Sequence, residues 1–318
     1  MDVLTDRSAP RDPSSSVLTI GFFDGVHRGH QRTIGHAIAE ARVDDRALIV
    51  VTFDRHPAEI ARPDRAPKLL TDLSQRLELL ASIGVDAVYV LTFDEQAAAQ
   101  SPRAFIEQIL VDQLGCAKVI VGENFRFGAK RTGDVAFLRD EGKRLGFVVE
   151  GVSLGQDGGE VISSTRIRSL LVEGDVEGAR HLLGRVHEVR GPVVHGDGRG
   201  GIDLGCPTAN LELDARLALP GDGVYAGWYR DESLGATPAA ISVGRRPTFL
   251  EGADPIVEAH VIGFDGDLYG HGAKVSFLER LRGEERFESV EALVAQMQLD
   301  VLEAAERTVA HAALAPGS

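Results

Sequence analysis

The first half of the chain alternates between short apolar runs and stretches with helical spacing. Residues 17–20 and 47–53 are almost continuously apolar and rich in β-branched side chains, which is typical of strands covered on both faces of a parallel sheet. Residues 73–83 and 102–114 instead repeat apolar positions at the spacing of a helix. Because this alternation continues as far as residues 147–149, we predict an α/β fold with a doubly wound sheet.

After Gly184 the pattern changes to short β-like runs that are separated by glycine, as in a small antiparallel β-barrel. The runs cover residues 193–194, 211–213, 224–229, 240–243, 257–262 and 274–278. Apolar positions then recur at helical spacing over residues 290–310, which predicts a closing helix. We therefore expect one domain over residues 17–184 and a second over residues 185–318.

The amino-terminal end has neither pattern. Residues 1–16 are polar, include three consecutive serines and lack the apolar core of a signal peptide, so we expect a disordered tail. No apolar run in the chain approaches the about 18 to 20 residues that span a bilayer. The two cysteines, Cys116 and Cys206, suit neither a disulfide framework nor a metal site. These features predict a cytoplasmic protein without a membrane partner.

Composition narrows the class of ligand. The chain has 318 residues, 43% of them hydrophobic, and a formal net charge of -14. This length and apolar content suffice for two buried cores. The acidic balance disfavours nonspecific binding to nucleic acid or anionic lipid, and an anionic small ligand would need local cations or a metal ion. We expect small-molecule partners and no nucleic acid, and we leave a transient homo-oligomer open.

The most informative stretch joins the first predicted strand to the first helix. Residues 21–31 read GFFDGVHRGHQ and place His27 and His30 on the turn and the first helical turn. Unpaired N–H groups and the positive end of the helix dipole favour a phosphate there. Glycine-rich turns are also common in α/β domains, and the two histidines could be merely solvated. These residues alone support both interpretations about equally.

Other polar residues follow the predicted strands at one edge of the sheet. They lie in residues 54–56, 122–128 and 163–168. Ligands of doubly wound sheets bind at the carboxyl ends of strands, so these stretches predict a binding site. An ordinary capped helix is the interpretation that residues 163–168 favour when taken alone.

In the second half, Thr208 and Asn210 lie two residues apart on a predicted extended segment. Their side chains point to the same side, as hard oxygen ligands of Mg²⁺ require. Composition alone favours a capped turn instead.

Four motifs of the first half occur in the order of a known family. They are FDGVHRGHQ at residues 23–31, TFDRHP at 52–57, GENFRFG at 122–128 and ISSTRIR at 162–168. This half resembles bacterial FAD synthetases, which have a nucleotidyltransferase (Rossmann-like) domain. The second half carries LGCPTANL at 204–211, GDGVY at 221–225, VEAH at 257–260 and DLYG at 267–270. It resembles riboflavin kinases, so the whole chain resembles the bifunctional riboflavin kinase/FAD synthetase family.

The resemblance implies a riboflavin kinase and an FMN adenylyltransferase, with Mg²⁺ as cofactor, ATP as co-substrate, and riboflavin, FMN and FAD as substrates and products. It implies that His27 and His30 act on the ATP phosphates and that Glu258 is the general base of the kinase. The other implied ATP or phosphate contacts are Gly21, Asp24, Gly29, Ser164, Thr165, Arg168, Gly205, Thr208 and Asn210, of which Thr208 and Asn210 also hold the metal ion. The implied flavin contacts are Asn124, Phe125 and Phe127.

Departures from the family pattern leave alternatives open. Ala97 stands where an aromatic residue is common, and the loop at residues 197–206 is longer and ends in Cys206 instead of phenylalanine. We therefore expect the kinase to be slower or weaker than the adenylyltransferase and to improve on Cys206→Phe.

One alternative is an FAD synthetase whose impaired barrel only binds flavin as a regulatory module. Another is a cytidylyltransferase, which would leave the barrel motif unused. Lys130 and Arg131 either add positive charge to the site or form a solvated loop.

Overall fold

The computed structural model describes residues 1–5, 16–153, 155–195, 208–244 and 256–317. Its contacts divide the chain into two compact units, Met1–Ser164 and Thr165–Ser318. The first unit contains a parallel sheet and the second a closed barrel. Within the described ranges, no helix is long and apolar enough to cross a membrane.

The first unit is built on a six-stranded sheet whose paired strands all run parallel. The strands of this unit are β1 (Asp2–Thr5), β2 (Ser16–Ile20), β3 (Ala47–Phe53), β4 (Ala87–Leu91), β5 (Cys116–Gly122), β6 (Arg126–Phe127), β7 (Gly133–Asp134), β8 (Val148–Val152), β9 (Gln156–Asp157) and β10 (Glu160–Val161). The order in the sheet is β1-β4-β3-β2-β5-β8. This confirms the doubly wound sheet, and its order reverses between β2 and β5, where such folds bind ligands.

Helices cover both faces of this sheet. They are α1 (Arg28–Val43), α2 (Pro57–Ala61), α3 (Leu73–Ser82), α4 (Glu95–Ala99), α5 (Pro102–Phe105), which continues as a π-helical segment over Ile106–Gln113, and α6 (Val135–Leu145). Alternate residues of a strand point to opposite faces, so Leu18 and Ile49 enter one core cluster while Val17 and Leu48 enter the other. Two buried faces explain why these strands are apolar throughout.

The chain begins with a strand rather than with the expected disordered tail. Strand β1 pairs in parallel with β4, and Leu4 packs against a core cluster. Four residues are too few to show a strand period, and the partner strand lies far along the chain, so the local sequence could not reveal the pairing. Residues 6–15 of the expected tail lie outside the described residues.

The second unit contains a closed six-stranded antiparallel barrel in the order β11-β12-β15-β14-β13-β16. Two helices, α7 (Ser164–Glu173) and α8 (Val176–Leu183), come before it. The strands are β11 (His187–Val194), β12 (Ala209–Leu211), β13 (Gly223–Arg230), β14 (Thr237–Gly244), β15 (Ile256–Val261) and β16 (Gly272–Arg282). Helix α9 (Val290–Ala310) follows and packs Ala304 against Ala226 and Ala240. The predicted barrel and its closing helix are confirmed.

The division between the units comes earlier than the boundary expected near Gly184. Helix α8 packs against β11 and β16 of the barrel, and hydrogen bonds tie α7 to the same unit. The Gly221 N–H donates to the Leu171 carbonyl at 2.8 Å, and Arg280 of β16 donates to the Glu173 carbonyl at 3.3 Å. Helical periodicity does not indicate which sheet a helix covers, so the sequence pattern assigned these two helices to the first half.

Candidate functional site

The turn after β2 has an unusual backbone. Phe23 and Val26 have φ angles of 54° and 39°, and Gly25 has a φ of 76°. A β-branched residue such as valine is strained in this region. Such strain persists only where neighbouring contacts over-determine the backbone, and it is frequent at ligand sites. We call residues 21–31 the histidine turn. The contacts that hold its backbone in this conformation are therefore part of the candidate site.

Asp24 ties the histidine turn to a loop far along the chain. Asp24 is 2% exposed, and its carboxylate accepts hydrogen bonds from the N–H groups of Leu70 at 3.0 Å and Thr71 at 3.2 Å. The Gly25 N–H donates in turn to the Thr71 hydroxyl at 3.1 Å. The carboxylate is thus occupied by backbone donors. These bonds give Asp24 a positioning role in the turn, and its phosphate contact stays a prediction.

Arg76 of α3 holds the same turn, although no sequence pattern singled it out. It is 1% exposed and donates to the carbonyls of Phe22 at 3.0 Å and Phe53 at 2.6 Å. Its guanidinium lies 4.2 Å from the centroid of the Phe22 ring. Burial lowers the pKa of Arg76 to about 10 despite three nearby carboxylates, so the group remains charged at neutral pH. Arg76 therefore joins the carboxyl ends of β2 and β3.

His27 and His30 stack face to face at the start of α1. Their ring centroids are 3.6 Å apart and their planes differ by 16°. His27 caps the helix, because its Nδ1 accepts the His30 N–H at 3.3 Å. The Phe23 ring meets the His30 ring edge-on, with centroids 5.2 Å apart. The structure thus brings together the two histidines that the sequence placed on one helix end.

His30 is held in its neutral form. Burial, with repulsion from His27 as a second cause, lowers the pKa of His30 well below its usual value of 6.5. The residue as a whole is partly exposed, but its Nδ1 is enclosed and has no hydrogen-bond partner among the described residues. A buried polar atom without a partner is costly, which indicates that this ring is suited to a ligand.

Gly21 and Gly29, two of the predicted phosphate contacts, lie close to aromatic rings and leave no room for a side chain of their own. A Cβ on Gly29 would lie 3.1 Å from the His27 ring and 3.3 Å from the Ile162 carbonyl oxygen. A Cβ on Gly21 would lie 3.0 Å from the Phe23 ring. Either side chain would therefore push against the groups that shape the histidine turn.

Ser164 connects this turn to the start of α7. Its hydroxyl donates to the Asp24 carbonyl at 3.0 Å. Thr165 and Arg168 follow within the first turns of the same helix. Contact therefore places Ser164 at the histidine turn, while the phosphate roles of Thr165 and Arg168 stay predictions.

The three predicted flavin residues follow β5 and enter a short hairpin. Asn124 is exposed, Phe125 is partly buried and Phe127 is buried. The rings of Phe125 and Phe127 stack with centroids 5.3 Å apart, and Phe127 also lies in a core cluster with Phe105. Phe127 therefore lies in the core and supports Phe125, and its flavin contact stays a prediction. Ala97 packs partly buried against the same cluster.

In the barrel, Asn210 and Glu258 are direct neighbours. The register pairs Asn210 of β12 with Glu258 of β15, and Glu258 with Ser242 of β14. Directly opposite residues share a face, whereas the alternate residues Val257 and Ala259 are fully buried. Asn210, Glu258 and Ser242 therefore form a polar row on the outer face of the barrel.

Asn210 has an enclosed side-chain oxygen, Oδ1, that lacks a donor among the described residues. Its Nδ2 lies 3.5 Å from the Thr208 carbonyl oxygen. Amide and carboxylate oxygens are the hard donors that Mg²⁺ prefers. No group of three or more His, Cys, Asp or Glu side chains in the described ranges could hold a metal ion.

Part of the predicted kinase site lies outside the described residues. Gly205 and Cys206 are among them, as are the rest of the loop at residues 197–206 and the segment 245–255. The expectations of a weaker kinase and of improvement on Cys206→Phe stay predictions.

Comparison with known proteins gives the family. The FAD synthetase model matches residues 9–166, and the riboflavin kinase model matches residues 183–308. A bifunctional riboflavin kinase/FMN adenylyltransferase from Escherichia coli (strain K12) is 38% identical over 290 residues, which cover 91% of this chain and 92% of that protein. The chain belongs to the bifunctional riboflavin kinase/FMN adenylyltransferase family. A relative of the same name from Bacillus subtilis (strain 168) is 35% identical over 299 residues, 92% of each chain.

A solved structure supports the same architecture. The crystal structure of a macrolide-efflux protein from Streptococcus pneumoniae matches with a TM-score of 0.83 and 31% identity, covering 94% of this chain and 97% of that chain. The predicted family, the predicted fold and the predicted pair of activities are confirmed. None of the matches favours the alternative in which the barrel is an impaired kinase.

Proposed function

We propose that the two units catalyse successive steps of flavin-cofactor synthesis, each through the site residues described above. The barrel transfers the γ-phosphate of ATP to the 5′-hydroxyl of riboflavin and gives FMN. The first unit transfers the adenylyl group of ATP to FMN and gives FAD. The observation that best supports this division is the presence of two chemically different sites, a histidine pair at a helix start in one unit and an amide–carboxylate row in the other.

In the first unit, the FMN phosphate attacks the α-phosphorus of ATP. A new P–O–P bond forms, the bond from the α-phosphorus to the bridging oxygen breaks, and pyrophosphate leaves, so no protein nucleophile is needed. The protein has to align the two phosphates and stabilise the developing charge. His27 and His30 are assigned this role, together with the backbone N–H groups at the start of α1.

The neutral state of His30 suits this task. A neutral imidazole can donate a hydrogen bond to a phosphate oxygen, and a bound anion raises the pKa of the ring. The ring can therefore gain a proton as negative charge arrives. Burial of the free ring, which lowers its pKa, supports this assignment.

The flavin ring is assigned to the surface that Asn124 and Phe125 present. A partly exposed aromatic side chain offers a stacking partner, and Phe127 fixes it from the core. Ser164, Thr165 and Arg168 are assigned to the phosphates, with Gly21, Asp24 and Gly29 shaping the turn.

In the barrel, Glu258 is assigned as the general base. It takes the proton of the riboflavin 5′-hydroxyl while that oxygen attacks the γ-phosphorus and ADP leaves. Asn210 is its partner in register, so the amide and carboxylate side chains lie on the same face of neighbouring strands. Thr208 and Gly205 complete the proposed nucleotide contacts.

Mg²⁺ fits the oxygen donors of this row. The enclosed Oδ1 of Asn210, which has no donor among the described residues, is suited to a hard cation, and Thr208 and Asn210 are the residues that would hold it. When bound with ATP, the ion would neutralise phosphate charge. A cytoplasmic location and a transient homo-oligomer remain predictions of the sequence.

Separate assays of the two steps test the proposal. His30→Asn should lower FAD formation from FMN by about 100-fold and leave riboflavin phosphorylation unchanged, and Glu258→Gln should have the reverse effect. The flavins are separated by chromatography after incubation with ATP and Mg²⁺. His36→Asn, on the same helix as His30 but paired with Glu150, and Glu279→Gln, on β16, are the matched controls.

The two-site assignment is wrong if either variant loses both activities while circular dichroism shows an intact fold. Loss of kinase activity in Glu279→Gln equal to that in Glu258→Gln would show that the carboxylate of Glu258 has no special role.

A further inference from the structure

A strained, positively charged turn lies in the loop between β6 and β7. Lys130 and Arg131 have φ angles of 53° and 59°. Two consecutive non-glycine residues in the left-handed region are rare, because Cβ approaches the following carbonyl. Both side chains are exposed, and neither has an ion pair or side-chain hydrogen bond within the described part of the protein.

Contacts on both sides force this backbone. A Cβ on Gly128 would lie 2.5 Å from Pro102, and a Cβ on Gly133 would lie 2.8 Å from the Phe127 ring. The Ala129 N–H donates at 2.8 Å to the carbonyl of Gln100, the C-cap residue that follows α4. The two ends of the turn are therefore locked against α5 and the core, and the strain falls on the two basic residues between them.

The turn borders the surface assigned to flavin. It packs against α4, the helix that carries Ala97. Ala97 and Phe125 pack against the same core cluster. The turn also contacts β6, whose Phe127 stacks on Phe125, so the positive turn adjoins the place where a flavin ring would stack.

Charge indicates which part of the flavin substrate the turn would meet. The whole chain carries a net charge of -14, so a phosphate dianion needs a local concentration of cations. FMN carries such a dianion and riboflavin does not. Lysine and arginine side chains that are not already neutralised by carboxylates are suited to bind it. The strained side chains of Lys130 and Arg131 are exposed and gain no packing from this conformation. Backbone strain of this kind is frequent at sites that hold a ligand.

We propose that Lys130 and Arg131 bind the phosphate of FMN and so make the adenylyltransferase unit select FMN over flavins that lack a phosphate. The inference rests on the proposed function of that unit. It assigns the specificity to charge on the strained turn rather than to the contacts of the flavin ring.

Alanine variants test the charge. Lys130→Ala and Arg131→Ala should each raise the KM for FMN by about tenfold, since a hydrogen bond to a charged group contributes about 1.4 kcal/mol or more. The KM for ATP and the rate of riboflavin phosphorylation should not change. Inhibition by lumiflavin, a flavin without a phosphate or a phosphorylatable hydroxyl, should also stay the same. Lys143→Ala, an exposed lysine of α6 that removes the same charge, is the control.

Glycine variants test the strain. The double variant Lys130→Gly/Arg131→Gly should lose FMN affinity as the double alanine variant does, because both remove the two charges. Since glycine adopts positive φ without a steric penalty, the glycine variant should melt about 2 to 4 °C above the alanine variant. A glycine pair that is less stable than the alanine pair would contradict the strained-turn argument.

The outcomes separate this inference from the proposed function. An unchanged KM for FMN in folded alanine variants overturns the inference, and so does an increase confined to the KM for ATP. Wild-type enzyme that forms no FAD from FMN would instead overturn the proposed function of the first unit.

Discussion

The two candidate sites are held in place in different ways. The histidine turn is fixed by buried polar side chains, Asp24 and Arg76, whose partners come from distant segments. The polar row of the barrel is fixed by strand register, which places Asn210 beside Glu258 through main-chain pairing. Side chains therefore shape the first site, whereas backbone hydrogen bonds position the second.

This difference predicts how each site responds to mutation. Removing a side chain that supports the histidine turn leaves buried groups unsatisfied, so stability and activity should fall together. Removing a side chain of the barrel row leaves the ladder intact, so activity should fall alone. The four predictions that follow test this contrast.

Arg76→Ala should break the first site most severely. The Phe53 carbonyl loses its guanidinium donor, the Phe22 carbonyl keeps only the Thr52 hydroxyl, and a cavity opens, so the free energy of unfolding should fall by about 2 to 5 kcal/mol. Urea denaturation measures this change. Arg62→Ala removes the same charge at an exposed position and serves as the control. Wild-type stability in Arg76→Ala would show that the guanidinium does not hold the turn.

Asn210→Ala should separate activity from stability in the barrel. Kinase kcat/KM should fall by about 100-fold, because the proposed metal ligand is lost. Stability should change by less than about 0.5 kcal/mol, since Oδ1 has no donor among the described residues to lose. Kinase assays and thermal unfolding measure the two effects, with Glu279→Gln on β16 as the control. A large loss of stability would remove the contrast between the sites.

Two glycines of α1 form a matched pair. Gly29→Ala should lower adenylyltransferase kcat by about tenfold, because its Cβ would lie 3.1 Å from the His27 ring and displace it. Gly35→Ala meets nothing within 4 Å and should leave activity unchanged while stabilising the helix by about 0.5 to 1 kcal/mol. FAD formation and thermal unfolding distinguish the two variants. Equal activities would show that the His27 ring need not be held as observed.

The pH dependence of stability should be smaller but specific to the first site. The pKa of His30 is lowered in the folded protein, so below about pH 6.5 the unfolded chain binds a proton that the folded chain does not. Stability should therefore decrease as pH falls below 6.5, with a slope of at most about 1.4 kcal/mol per pH unit from this group. The free energy of unfolding, measured between pH 5 and 8 for wild type and His30→Asn, checks this prediction. The variant should lose the part of the pH dependence that His30 contributes. An unchanged slope would mean that His30 is not the responsible group.

Local patterns predicted the elements because their information lies within a few residues. Continuous apolar runs predicted β2 and β3, helical periodicity predicted α3, and the period of the second half predicted the barrel. Strand β1 was missed because only its pairing with β4 makes it a strand. Helices α7 and α8, which the sequence pattern placed before the boundary near Gly184, cluster with the second unit, because periodicity does not identify a packing partner.

For the site, the sequence by itself determined which groups could do chemistry and where they sit along the chain. The spacing of His27 and His30 follows from one helix start, and the alternation of β12 puts Asn210 on a single face of its strand. Tertiary structure alone decided which polar groups are buried and what they touch. Asp24, Arg76 and Phe127 support neighbouring site residues because the groups that surround them come from other segments. Burial is a property of all elements packed together, and no local stretch of sequence contains it.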